Sequence, residues 1–326
     1  MAKIMELPEM EESLPSDLLL FDNYGSGTKA ITLNKFCRNM MEQCDRIKAH
    51  RVMWRGGYLG DTFAVGQQLA INDGTFNDIF VGDYWVINGR TYTVLDVDYY
   101  RSTYNATSDM AEFKHHLLMG YEIPISSIIG NQPMLSSTLW DTVQQAENYI
   151  SEDFNNKILK HKTVTLKEKN KSTYYSSFNL YLRGTNTAYL SPKTTAWDTT
   201  SVYVDLPFYC QLGVPLARNV VLYSNETHDI FAAQQIQQRV ISGFYNYMRN
   251  TKGWCREDTD VNGDEPYISK VSASKPIVFT KDLAAKVYNN VSTNIDLPFV
   301  AYDNGCCITI NGYYQGKFLV IFALGG

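Results

Sequence analysis

The chain has 326 residues, 44% hydrophobic and 19% charged, enough apolar material to bury a core in one large or two medium domains. Its net charge of -5 and the confinement of basic clusters to Lys157/Lys160/Lys162 and Lys167/Lys169/Lys171 argue against a nucleic-acid groove, because solvated helix ends and loops account for such groups. No apolar run approaches the ~18 residues needed to cross a bilayer, while an aromatic share of 13% leans toward β-rich folds with broad contact surfaces.

The leader MAKIMELPEMEESLPSD is acidic where a signal peptide needs a basic and then an apolar stretch, so synthesis and assembly in the cytoplasm are expected. The six cysteines (Cys37, Cys44, Cys210, Cys255, Cys306, Cys307) form no CxxC pair and read as small buried hydrophobes of a reducing compartment. Residues 17–32 alternate an apolar run, a Gly-containing turn and a second β-like run, which predicts a small hairpin that needs a partner surface. Thr32 then stands as a helix N-cap, with Ile31 and Phe36 as a staple. Leu33, Cys37, Met40, Cys44 and Ile47 follow at alternating spacings of four and three, a heptad seam. Two heptads cannot hold a helix alone. The seam therefore packs on its own domain or on copies of itself, in the second case as a short trimeric bundle. The Gly-rich joint Arg51–Gly60 ends this module, dividing the chain into an attachment and oligomerisation module (1–48) and a globular α+β body (49–326).

The body opens on its clearest local signal. Tyr84–Ile87 and Thr91–Leu95 are rich in β-branched and aromatic residues, and Asn88-Gly89 between them is the preferred type I′ turn pair. Tyr92, Val94 and Asp96 share one face and Thr93, Leu95 and Val97 the other, both largely apolar, so the hairpin belongs inside the fold. A polar loop at 101–110 leads to a strand over 114–119, where His115 and His116 point to opposite faces and do not share a metal. Ser137 caps a helix with Leu139, Val143, Ala146, Ile150, Phe154 and Ile158 on one face, and a third helix spans 229–249 through Ile236, Val240, Phe244 and Met248. Residues 172–200 read as loops with short strands. The C-terminal segment is a meander over Pro298–Tyr302, Cys306–Ile310 and Lys317–Leu324, with Asn-Gly turns between its strands, and its last, very apolar strand belongs in the middle of a sheet.

Motifs that carry chemistry are few. Asp258, Asp260, Asn262 and Asp264 match the first half of a calcium loop, with Gly263 at the sharp turn, but position twelve is Ser269 and not a bidentate Glu. A polar turn and a calcium site closed by ligands from elsewhere both fit. No nucleophile elbow, HExxH, P-loop or dinucleotide fingerprint occurs, so no catalytic residue is assigned. Carboxylate pairs such as Glu257/Asp258 and Asp96/Asp98 leave room for a glycosidase.

The order DGTFNDIFVGDYWVINGRTYTVLDVDYY (73–100), KHHLLM (114–119), a helix leading to NNKILKHKTVT (155–165), and SVYVDLPFYCQLG (201–213) resembles a family of tailed-bacteriophage virion proteins. There a Gly-Asp-Tyr-Trp hairpin, a His-His strand, a His-Arg-Glu segment and a Leu-Pro strand follow in the same order. Here His161-Lys162-Thr163 stands for the His-Arg-Glu segment, and Phe279-Thr280-Lys281 occupies the place of a Trp-Leu-Arg strand. The leader ELPEMEESLPSDLLLFDNYGSGTKAITLNKF is similar to those of phage head-fibre and tail-fibre proteins, and GYYQGKFLVIFALGG resembles the closing strand of C-type-lectin-like modules. The resemblance implies a non-enzymatic virion component, a homotrimeric fibre or capsid decoration held through its N-terminus to capsid, collar or tail proteins. Its fold is expected to be α+β, a β-rich and C-type-lectin-like body with hairpins and two or three amphipathic helices behind the N-terminal hairpin and helix. The alternative is a receptor-binding adhesin that attaches to host-surface glycans through Trp85, Tyr174, Tyr175 and Trp197. Neither reading calls for nucleic acid, membrane or a cofactor beyond calcium.

Overall fold

Asn88 and Gly89 adopt φ of 50° and 73°, the left-handed pair a type I′ turn requires, and the flanking strands leave the turn in register with Ile87 opposite Arg90. Around this hairpin the computed structural model describes residues 18–23, 27–32, 50–51, 54–102, 108–129, 138–166, 175–178, 190–192, 197–213, 220–222, 239–252, 254–257, 267–270, 278–281, 284–288, 291–296, 300–303, 306–309 and 312–326. The chain divides into two compact units, Met1–Ala49 and His50–Gly326. In the first, Leu18–Asn23 and Gly27–Thr32 pair antiparallel, the hairpin the sequence predicts. The heptad residues Leu33, Cys37, Met40, Cys44 and Ile47 lie outside the described residues.

The second unit is α+β and β-rich. Its main sheet holds β1 (Tyr58–Gly60), β2 (Tyr84–Ile87), β3 (Arg90–Val97), β4 (Leu117–Ile129), β5 (Ile158–Leu159), β6 (Val204–Asp205) and β7 (Gly312–Leu324). Their spatial order is β6-β7-β4-β3-β2-β1, with β5 also pairing β7. β1 runs parallel to β2 and the other pairs are antiparallel. The described helices are α1 (Val65–Asn72), α2 (Thr138–Asp153), the single turn α3 (Tyr209–Leu212) and α4 (Phe244–Lys252).

β7 shows why its sequence does not alternate. It is hydrogen-bonded to β4 along its whole length and to β5 and β6 on its other side, and every residue from Phe318 to Leu324 is at most 1% exposed. A strand with both edges paired and both faces covered has no polar side to write. Leu319, Ile321 and Ala323 join the cluster of Leu95, Phe244 and Met248. Phe322 instead packs against Tyr92 and Phe154. The C-terminal meander is corrected here. Val300–Asp303 and Cys306–Thr309 form the expected hairpin, but the last strand leaves it to pair with β4.

Helix α2 buries Leu139, Val143, Ala146 and Ile150, the face its spacing predicts. Phe154 and Ile158 are buried too but lie beyond the helix, because Asn155 and Asn156 take φ of 54° and 58° and stop it in the left-handed conformation. The stop aims Phe154 into a cage of Phe63, Trp85, Tyr92 and Phe322, with ring centroids 4.8–5.9 Å apart. The expected helix over 229–249 is shorter in its described part. Residues 239–243 are not helical, since Gly243 N–H bonds Leu95 O and Ser242 N–H bonds Asp96 Oδ2, so α4 begins at Phe244.

The last turn of α2 is tied to the central hairpin by one carboxylate. Asp153 accepts from Asn88 Nδ2 at 2.7 Å, from Arg90 Nε at 2.8 Å and from Tyr92 Oη at 2.5 Å. Burial, followed by the hydrogen bond to Asp153, raises the Tyr92 hydroxyl well above its ordinary range. Removing Asp153 strands three donors at once. Asp153→Ala is expected to cost about 2–4 kcal/mol, a few lost bonds and a partly buried cation left alone, read as a lower urea midpoint at unchanged slope.

Candidate functional site

β3 ends at Val97, and Asp98 turns the chain with φ of 48°, a conformation Asp tolerates better than most residues. Its N–H bonds His116 O at 2.8 Å, and its Oδ1 accepts from His116 N–H at 2.9 Å. Oδ2 accepts from His115 Nδ1 at 2.6 Å and from Arg101 Nη1 at 3.3 Å. The pair His115-His116 thus precedes β4 instead of lying within it, and both residues are held by the same carboxylate. The His115 ring covers Gly74, whose added Cβ would lie within 3 Å of it, and meets Phe76 edge-on at 5.8 Å.

His116 is fully buried, and its two nitrogens have opposite tasks. Nδ1 lies 3.0 Å from Lys114 O and must donate, while Nε2 accepts the Tyr100 N–H at 3.1 Å. A proton on Nε2 would break that bond. Burial pushes the imidazole below its ordinary value, against the pull of Asp98. Asp98 itself is raised by burial, but His115 and His116 outweigh this and leave it below the usual carboxylate range.

The layer continues through stacked rings. Tyr100 lies between His116, at 5.8 Å and 23°, and His161, at 4.3 Å and 14°. His161 Nε2 is 3.4 Å from Asp205 Oδ2, a close contact without hydrogen-bond geometry. Asp205 forms an ion pair with Lys281 Nζ, which also donates to Thr163 Oγ1 and lies 4.3 Å from the Phe208 ring centroid. Burial raises the Asp205 carboxyl, yet Lys281 and then His161 more than offset it and hold it low. Tyr100, His116, His161, Asp205 and Lys281 are each at most 3% exposed.

A Lys–Asp–His–Tyr array can move protons, but only where a substrate can reach it. Here the array is buried, and its Asp205–Lys281 pair neutralises buried charge and joins the segments that carry it. Among the described residues no group of three or more His, Cys, Asp or Glu is placed to hold a metal, and no helix is long and apolar enough to cross a membrane.

The sites expected from sequence fall elsewhere. Trp85 is corrected: it is 0% exposed, packed edge-on to Phe63 and Phe154, with Nε1 donating to Gln67 Oε1 at 3.1 Å, so it serves the core and offers no face to a glycan. Tyr174 lies outside the described residues. Tyr175 and Trp197 begin strands in two different sheets. Asp258, Asp260, Asn262 and Asp264 also lie outside the described residues. Their flanks, Trp254–Glu257 and Tyr267–Lys270, are paired strands and not the helices of an EF-hand.

The buried layer was missed as a site although its pieces carry the family resemblance: DVDYY, KHH, HKT, VDLPF and FTK. Sequence adjacency gave no sign that they meet. No family model matches the chain, and no curated protein or solved structure is significantly similar to it.

Two outcomes follow from the layer. Lys281→Met leaves Asp205 buried without its lysine, beside His161 and the Leu206 N–H, and should cost about 3–5 kcal/mol in urea unfolding, whereas Lys281→Met with Asp205→Leu should recover most of it. Acid should destabilise the fold in two steps. His116 is held neutral, so stability falls once the unfolded chain takes its proton below about pH 6.5. Asp98 and Asp205 are depressed, so their contribution, complete above about pH 4, is lost as pH falls through their folded values. Scanning calorimetry between pH 7.5 and 5 should show a falling midpoint, flattened in His116→Gln.

Proposed function

We propose that this chain is a non-enzymatic structural component of a tailed-phage virion, an oligomeric fibre or decoration protein attached through its N-terminus. The observation that carries the reading is the meeting of Asp98, His116, His161, Asp205 and Lys281 in one buried layer, with the partly exposed His115 at its edge. The segments whose order resembles phage virion proteins are spent on holding the body rigid, as a displayed domain requires. The division after Ala49 and the apolar hairpin Leu18–Asn23/Gly27–Thr32 support a separate attachment module. The closing strand inside the sheet supports a C-type-lectin-like body. On this reading the partners are capsid, collar or tail proteins and two further copies of the chain. The location is the virion.

A second reading, an adhesin for host-surface glycans, is favoured by a polar cleft beside the C-terminal half of α2. Trp85 has no part in it.

Light scattering of the full chain beside a version lacking residues 1–48 tests the main reading. A trimer that becomes a monomer on truncation is expected. A monomer in both forms would overturn the oligomeric fibre.

A further inference from the structure

Helix α2 spends Leu139, Val143, Ala146 and Ile150 on the core. Glu147, Asn148, Ser151 and Glu152 therefore form a two-residue-wide polar ladder on another side, at spacings of one, four and five. The left-handed stop that ends the helix brings Asn156 back under this ladder, where Ser151 Oγ donates to its Oδ1 at 3.0 Å. Tyr203, between strand Trp197–Val202 and β6, closes the opposite wall. The result is a cleft of about 490 Å³, within the size range of small-ligand sites.

The lining decides what could enter. It holds one aromatic ring, two carboxylates, two amides and a hydroxyl, with Ile158 as its aliphatic contribution. An apolar ligand would strand these polar groups. The carboxylates accept from hydroxyls, and the amides both donate and accept. The Tyr203 ring adds an amphipathic surface suited to a ligand with one C–H face and a polar rim. Lys160 Nζ lies 5.1 Å from that ring and acts on Glu147, while the lining itself holds two carboxylates and no cation, a balance that disfavours an anionic ligand. Glu147 is half-buried, and its carboxyl is pushed upward by burial, with Lys160 drawing it partly back.

We infer that this cleft binds an uncharged saccharide. The inference rests on the adhesin reading and supplies the binding face that Trp85 cannot.

The test is saturation-transfer NMR of the full chain with glucose, galactose, N-acetylglucosamine and their β-linked disaccharides, beside sialyllactose and glucose 6-phosphate. At least one uncharged sugar should bind with Kd in about the millimolar range. Tyr203→Ala and Asn148→Ala should each weaken it by about fivefold or more. Asn148 is exposed, so its variant separates lost binding from any loss of folding that Tyr203→Ala brings. The site is overturned by no transfer from any uncharged sugar at about 10 mM, by binding that survives both substitutions, or by anionic sugars that bind as tightly. Competition by the purified protein for particle adsorption separates the two claims. Saccharide binding without competition removes the adhesin and leaves the site. Competition that survives both substitutions removes the site and leaves the adhesin.

Discussion

A carboxylate taken out of water must be met by donors or cations wherever the chain can bring them, and in this body that demand governs how distant segments meet. Asp96, fully buried, is held by Arg51, by Arg239 across 143 residues of sequence and by the Ser242 N–H. Asp98 holds the two histidines that precede β4. Asp205 is met by Lys281 across 76 residues. Asp83 binds the Gly57 and Phe80 N–H groups and the Arg55 guanidinium. Each acid fixes where a segment ends or a loop crosses, so the hydrophobic faces pack in one register.

The central hairpin was legible because its signals are local: β-branched and aromatic runs around Asn-Gly leave few alternatives. The face of α2 and the interior position of β7 were legible for similar reasons, one from a 3.6-residue period and the other from an unbroken apolar run. Helix α1 was not. It is eight residues long, with Val65 and Leu69 exposed, and so writes no amphipathic stripe. The start of α4 was misplaced because Val240 matches the helical spacing yet is 51% exposed, the backbone there being claimed by Leu95 and Asp96. Trp85 was misread because an aromatic residue written for a core is spelled like one written for a sugar.

The buried layer was illegible for a deeper reason. Its members are single His, Asp, Lys and Tyr residues on segments that pair with different neighbours, and no spacing rule links position 98 to 161, 205 or 281. What joins these segments is the stack His116–Tyr100–His161 and the pair Asp205–Lys281, where a change in one member leaves another poorly partnered in a medium that penalises it.

Buried ion pairs seldom add stability over well-packed apolar residues, so their use here asks for another benefit, and the register of β3 suggests one. Its pairing with β4 slips between Val94 and Asp96. A regular strand would put Asp96 on the face of Tyr92, whose ring packs on Phe154. The irregularity instead delivers Asp96 to the segment that also meets Leu95, where Arg239 and Ser242 wait. Sliding β3 by one residue would return the carboxylate to an apolar layer, at a cost of several kcal/mol. An apolar side chain at that position would tolerate the slip and a carboxylate does not, so the charge excludes the alternative pairing and leaves a single arrangement of the sheet.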